Sequence, residues 1–172
     1  MLGAATASFA QEITYVGGEP MYPAKDIVDN AVNSADHTTL VAAVKAAGLV
    51  STLKSEGPFT VFAPTNDAFE NLPDGTVETL LKPENKAILT NILTYHVLSG
   101  RYTAQTLMKE VQFSGGKKNF KTVSGDKITV ATNGNNLMIE DENGKVANIT
   151  VKDVMQSNGV IHVIDAVITP KN

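Results

Sequence analysis

Apolar positions follow a helical period through the first half of the chain and a period of two through the second. Ile27, Val28, Ala31 and Val32 share one face of a predicted helix that begins near Ala24. Asp36 is the expected N-cap of a second helix with Leu40, Val41, Val44 and Ala47 as its apolar stripe, and Gly48 as its C′ residue. A short helical piece follows over 49–54, and Ser55-Glu56-Gly57-Pro58 breaks the chain. Residues 59–63 read as a brief strand closed by Pro64, after which Thr65 or Asn66 can cap a helical turn around Ala68-Phe69. Pro73-Asp74-Gly75 marks a turn before another helical piece over 76–81. The strongest helix is predicted over 84–97 behind Pro83, with Ile88, Leu89, Ile92, Leu93 and His96 on its stripe. Thr103 is expected to cap a short helix over 104–109.

The period then changes. Strands are predicted over 120–123, 127–132, 136–140 and 145–151, punctuated by Gly125, Asn133-Gly134 and Asn143-Gly144. Asn-Gly suits tight hairpins because both residues tolerate positive φ. Residues 160–168 are nearly all apolar apart from His162 and Asp165, which predicts a central strand buried on both faces. Helices first and an antiparallel meander after them give an α+β fold, and the length suits one domain. Residues 11–23, with Gly17-Gly18, Pro20 and Pro23, read as an extended N-terminal arm.

Composition narrows the chemistry. At 172 residues, 42% hydrophobic and 19% charged, the chain can bury a sizeable core. Its net charge of −4 and lack of a long basic run argue against nucleic acid and against anionic membrane surfaces. With no cysteine, thiol catalysis, disulfides, Cys-based zinc sites and iron–sulfur clusters are excluded. Residues 1–10 are small and apolar, and Ser8-Phe9-Ala10 has the small-x-small shape of a signal-peptidase site. They are read as a signal-peptide remnant or as residues appended to the domain. Nothing else approaches the roughly 20 apolar residues of a membrane span, so no integral membrane segment is expected.

The three histidines, His37, His96 and His162, show no metal-binding spacing, and His96 and His162 fall on apolar faces, as core histidines do. Ser51-x-x-Lys54 and Ser124-x-x-Lys127 fit a penicillin-recognising pattern whose companion elements are missing. Asp141-Glu142-Asn143-Gly144 reads as a hairpin turn, because the twelfth position of a calcium loop begun at Asp141 would be Lys152. Asn148-Ile149-Thr150 fits the N-glycosylation acceptor pattern. No catalytic, cofactor or metal site is expected, and the chain is read as a non-enzyme.

Two segments, Phe59–Phe69 (Phe-Thr-Val-Phe-Ala-Pro-Thr-Asn-Asp-Ala-Phe) and Asn158–Pro170 (Asn-Gly-Val-Ile-His-Val-Ile-Asp-Ala-Val-Ile-Thr-Pro), resemble the two signatures of the fasciclin (FAS1) domain family. Tyr95-His96 between them resembles the family's Tyr-His pair. The resemblance runs in order from about Ala24 to Pro170. It implies a wedge or sandwich of about seven strands with helices packed against it. It also implies a module of cell adhesion or matrix contact that is secreted, periplasmic or at the cell surface, without a family-wide catalytic activity. Some animal members are credited with integrin-binding motifs near the Tyr-His pair and just before the second signature. Here the second position reads Val151-Lys152-Asp153-Val154-Met155, which keeps the Asp and its aliphatic neighbours but differs before Asp153.

The candidate adhesion or motif residues are therefore Thr65, Asn66, Asp67, Tyr95, His96, Lys152, Asp153, Val154 and Met155. The expected partner is a cell-surface or matrix protein or glycan, or a second copy through a homophilic contact. The alternative is a soluble small-molecule or saccharide-binding protein of the cell envelope. Tyr95 is also expected to tuck its ring inward and hold the signature segments together.

Overall fold

Gly17 and Gly18, at φ 62° and 80°, turn the N-terminal arm back on itself. The computed structural model describes residues 13–171, so the signal-peptide remnant expected at residues 1–10 lies outside them. Within that range the arm is a hairpin, β1 (Thr14–Val16) against β2 (Glu19–Met21), rather than an extended lead. Val16 and Met21 are buried under it. Buried Asn30 accepts the N–H of Tyr22 and donates to its carbonyl, both at 2.9 Å, which ties the hairpin to the helix behind it.

That helix, α1 (Ile27–Ala31), starts at Asp26, whose carboxylate accepts the N–H of Asp29. It ends one residue before Val32, which is therefore half exposed rather than part of the apolar face. Asp36 does not cap the next helix. It sits within a 3-10 turn, Ala35–His37, and α2 begins only at Thr38 (Thr38–Ala46). The apolar stripe of α2 and its stop at Gly48 (φ 71°) follow the expected pattern. Then come α3 (Val50–Lys54), α4 (Asn66–Glu70) and α5 (Thr76–Leu80). A 3-10 turn at Pro83–Asn85 leads into α6 (Lys86–Tyr95), where Leu89 and Leu93 face the core and Ile88 is 55% exposed. The last helix, α7 (Ala104–Phe113), is longer than expected and starts at Thr103, whose hydroxyl accepts the N–H of Thr106.

Seven strands form one mixed sheet. They are β3 (Phe59–Pro64), β4 (Val97–Ser99), β5 (Lys117–Lys121), β6 (Lys127–Asn133), β7 (Asn136–Glu140), β8 (Val146–Gln156) and β9 (Gly159–Ile164), in the order β4-β3-β9-β8-β7-β6-β5. From β5 to β9 it is the expected antiparallel meander. β3 departs from it, lying parallel to β9 with Phe59 opposite Gly159. Every residue of β9 is buried, as its continuous apolar run requires.

Alternation along β3 and β9 divides the interior in two. Val61, Ala63, Ile161 and Val163 join the core beneath α1–α6. Phe62 and Ile164 face the other core, where Leu107 and Val111 of α7 meet Ile128, Val130 and Ile139. The sheet's two edges differ. β4 is three residues long and part of its free edge is taken by the N–H of Val123, which donates to Val97 O at 2.8 Å. β5 carries Lys117, Lys118 and Lys121.

Candidate functional site

The candidate residues Thr65–Asp67, Tyr95-His96 and Lys152–Met155 are built into the fold at three separate places, and among the described residues no side-chain hydrogen bond links one set to another. At the first, Thr65 caps α4 by accepting the N–H of Ala68 at 3.2 Å. Asn66 reaches across to the start of α2, accepting the N–H of Thr39 at 3.0 Å and donating to Ala35 O at 2.9 Å. Asp67 is exposed in the first turn of α4.

At the second, Tyr95 is fully buried and donates its hydroxyl to Lys127 O at 2.6 Å while accepting the N–H of Glu142 at 3.2 Å. Burial of the ring pushes the phenol pKa up to about 12. His96, 2% exposed, pairs Nδ1 with Ile92 O at 2.8 Å and accepts the N–H of Ile168 on Nε2 at 3.2 Å. A carbonyl can only accept and an N–H can only donate, so these partners fix the neutral Nδ1–H tautomer. Burial lowers the His96 pKa to about 4. Beside it Asp141 is 5% exposed and accepts the N–H groups of Asn143, Lys145 and Thr169, which makes the 141–144 segment the expected turn.

At the third, β8 bulges between Val151 and Val154, and Asp153 sits in the bulge at φ 57°. Its N–H donates to Nδ1 of His162 at 3.2 Å, and Nε2 of His162 donates to Tyr102 O at 2.8 Å. Burial lowers the His162 pKa as well. The Asp153 carboxylate accepts the N–H of Ala104 at 2.7 Å, so it caps α7 from another strand. Tyr95, His96 and Val154 are 0%, 2% and 1% exposed, which corrects their reading as contact residues: each is inside the fold and has no surface to offer a partner. Thr65, Asn66, Asp153 and Met155 are half-buried, and Asp67 and Lys152 are exposed.

The second signature opens on a residue whose role its pattern did not reveal. Asn158, 6% exposed, accepts the N–H of Ile27 at 3.0 Å and donates to Leu53 O at 2.6 Å and Ser55 O at 2.8 Å. One amide thus pins α1 and α3 to the start of β9.

Lys152 and Asp153 also line an open groove of about 520 Å³. It forms because β7 and β8 pair over only three positions, Met138 to Glu140, before diverging, and α7 lies across the gap. Gln105, Met108, Lys109 and Gln112 fall at i, i+3, i+4 and i+7 on α7 and make one wall. Asn135 of the β6–β7 turn and Asn136 at the start of β7 make another. These groove residues escaped the sequence reading because a polar helix face is what any solvated helix carries. A smaller cavity of about 70 Å³ lies among apolar side chains such as Ile27, Leu40, Val44 and Ile161. Walls of that kind leave it dry. Among the described residues no three His, Asp or Glu side chains gather as metal ligands, and no helix is long and apolar enough to cross a membrane.

The family model described as Fasciclin domain matches residues 35–170. Protein sll1483 of Synechocystis is 51% identical over 149 residues, which is 86% of this chain and 74% of that protein. Transforming growth factor-beta-induced protein ig-h3 of Sus scrofa is 39% identical over 134 residues, 76% of this chain and 17% of that protein. Among solved structures, a FAS1 domain pair from the insect cell adhesion molecule Fasciclin I superposes with a TM-score of 0.74 at 22% identity, covering 83% of this chain and 50% of that one.

Proposed function

This chain belongs to the fasciclin family, and on that premise we propose that it is a non-catalytic adhesion module that works outside the cytoplasm. It contacts a cell-surface or matrix partner through the groove between α7, the β6–β7 turn and β8. The observation that carries this reading is the division of polar side chains. Those of the signatures are largely engaged within the fold: Tyr95, His96 and His162 have their polar atoms bonded to backbone groups. Gln105, Gln112, Asn135 and Asn136, by contrast, line the groove, and among the described residues their amides make no hydrogen bond within the fold. A surface of that kind holds a ligand by exchangeable hydrogen bonds, and a weak contact of one domain gains strength when many are displayed together.

The test is to coat beads with the chain and score clumping among the beads and attachment to cells or matrix. Attachment that is lost when Gln105 and Asn136 are changed to alanine, with the melting temperature unchanged, supports the reading. Clumping of like beads assigns a homophilic contact. Neither behaviour at high surface density rejects adhesion.

A further inference from the structure

We propose that the groove binds an acidic glycan, a polysaccharide strand carrying carboxylates. This rests on the reading above only in taking the groove as the contact face.

The first argument is charge. The chain as a whole is acidic, at −4, yet the groove holds two lysines, Lys109 and Lys152, against one carboxylate, Asp153. One oxygen of that carboxylate is already bonded to Ala104 N–H. Glu110, the acid on α7, lies outside the groove and pairs with Lys118 on β5. Neither Lys109 nor Lys152 has an ion-pair partner among the described residues, although Lys54, Lys117 and Lys118 do. The groove is therefore a place where an acidic protein leaves positive charge unpaired.

The second argument is the kind of hydrogen-bonding group that surrounds those charges. Four primary amides line the same groove, beside Thr150, whose hydroxyl donates to Val163 O at 3.4 Å. Each amide presents a donor and an acceptor side by side, the complement of adjacent sugar hydroxyls. The apolar part of the lining, from Ala104, Met108, Leu137 and Ile149, is about as large as the polar part and is spread over an open surface, which suits the flat face of a sugar ring better than the side-chain sockets an acidic peptide needs. Two ammonium groups then select carboxylated over neutral strands, through exposed contacts that salt screens.

Titration calorimetry on the full chain tests this with three probes: an oligogalacturonate, a neutral galactan of matched length, and poly-glutamate. The oligogalacturonate is expected to bind more tightly than the galactan and to weaken as salt rises. The double variant Lys109→Gln, Lys152→Gln should weaken it about tenfold, the scale set by two exposed charge contacts, with no change in melting temperature. Lys117→Gln, on β5, should leave it unchanged. No binding of the oligogalacturonate overturns the inference. So does an equal loss in Lys117→Gln, which would mean diffuse charge attraction, or tighter binding of poly-glutamate, which would make the groove a peptide site. If the beads adhere while the oligogalacturonate does not bind, the glycan falls and the adhesion reading stands. If it binds in the groove and the beads never adhere, the adhesion reading falls and the glycan stands.

Discussion

Nδ1 of His162 accepts the backbone N–H of Asp153 at 3.2 Å, and so holds the one non-glycine residue with positive φ among those described. The second signature thereby fixes the bulge from which Asp153 caps α7. Asp153→Asn keeps an acceptor oxygen and a residue that tolerates φ near 57°, and should cost less than about 1 kcal/mol. Asp153→Ala loses the cap and strains the backbone, and should cost about 2–3 kcal/mol. Urea midpoints of the two variants check the difference. Equal stability would mean that the carboxylate is not a cap.

Tyr95 joins the start of β6 to the 141–144 turn through one hydroxyl. Tyr95→Phe removes the bonds to Lys127 O and Glu142 N–H and should cost about 1–2 kcal/mol while the domain stays folded. Chemical denaturation measures it directly. A change within error would show that both backbone groups find water instead.

Phe62 is fully buried and stacks on His162, with ring centroids 5.8 Å apart. Phe62→Ala should cost about 3–5 kcal/mol. An unchanged melting temperature would contradict the packing of β3 on β9.

The buried histidines make the domain sensitive to mild acid. His96 is neutral in the fold with a pKa near 4, against an ordinary 6.5, so between those values the unfolded chain binds a proton that the folded chain refuses. Its contribution is therefore complete above about pH 6.5 and is lost progressively as pH falls toward 4, by up to about 3 kcal/mol. His162 and His37, also lowered by burial, act in the same sense. Glu142 is lowered from 4.5, chiefly by the N–H groups of Lys127 and Lys171, so its loss comes only at still lower pH. Urea midpoints that fall between about pH 6.5 and 5 in the wild type, and fall less in His96→Gln, match this account. A flat profile over that range contradicts it.

A Cβ on Gly159 would lie 2.1 Å from Phe59 O, where β3 and β9 meet. Gly159→Ala must push the two backbones apart and should cost about 3 kcal/mol or more. Soluble yield and melting temperature test it. A variant as stable as the wild type would show that the parallel pair has room to spare.

What was legible in the sequence was local. Thr103 and Gly48 act on neighbours a few residues away, and each sits where its chemistry requires. The Asn-Gly dipeptides mark their hairpins without forming the expected two-residue turns: Asn133 ends β6 opposite Asn136, so Gly134-Asn135 is the loop, Asn143 lies in a longer connection, and only the glycines take positive φ. Asp36 misled because a 3-10 turn over Ala35–His37 precedes α2 and takes Asp36 into its first turn, where an acidic residue is favoured for the same reason as near a helix start. Lys117, Lys118 and Asn119 open a strand that composition hid, since an edge strand need bury only one residue of its face, here Phe120. β4 was absorbed into the helix before it, three residues being too few to show a period. The parallel pairing of β3 with β9 joins segments with most of the domain between them, and no local pattern records such a contact. The groove was invisible for a similar reason: Gln105 and Asn136 become one surface only through the divergence of β7 from β8.

The lysines on β5 have a bearing on how the molecule behaves in a crowd. An open strand edge is a template on which another copy can build, and dense display on a surface brings many such edges together. Lys121, together with Lys117 and Lys118 and their partners Glu140 and Glu110, keeps the β5 edge charged, so that pairing it with another copy would desolvate those groups, and β4 is too short and too occupied by Val123 to receive a strand. Neighbouring domains can thus be packed closely without merging into fibrils, and each keeps its own outline.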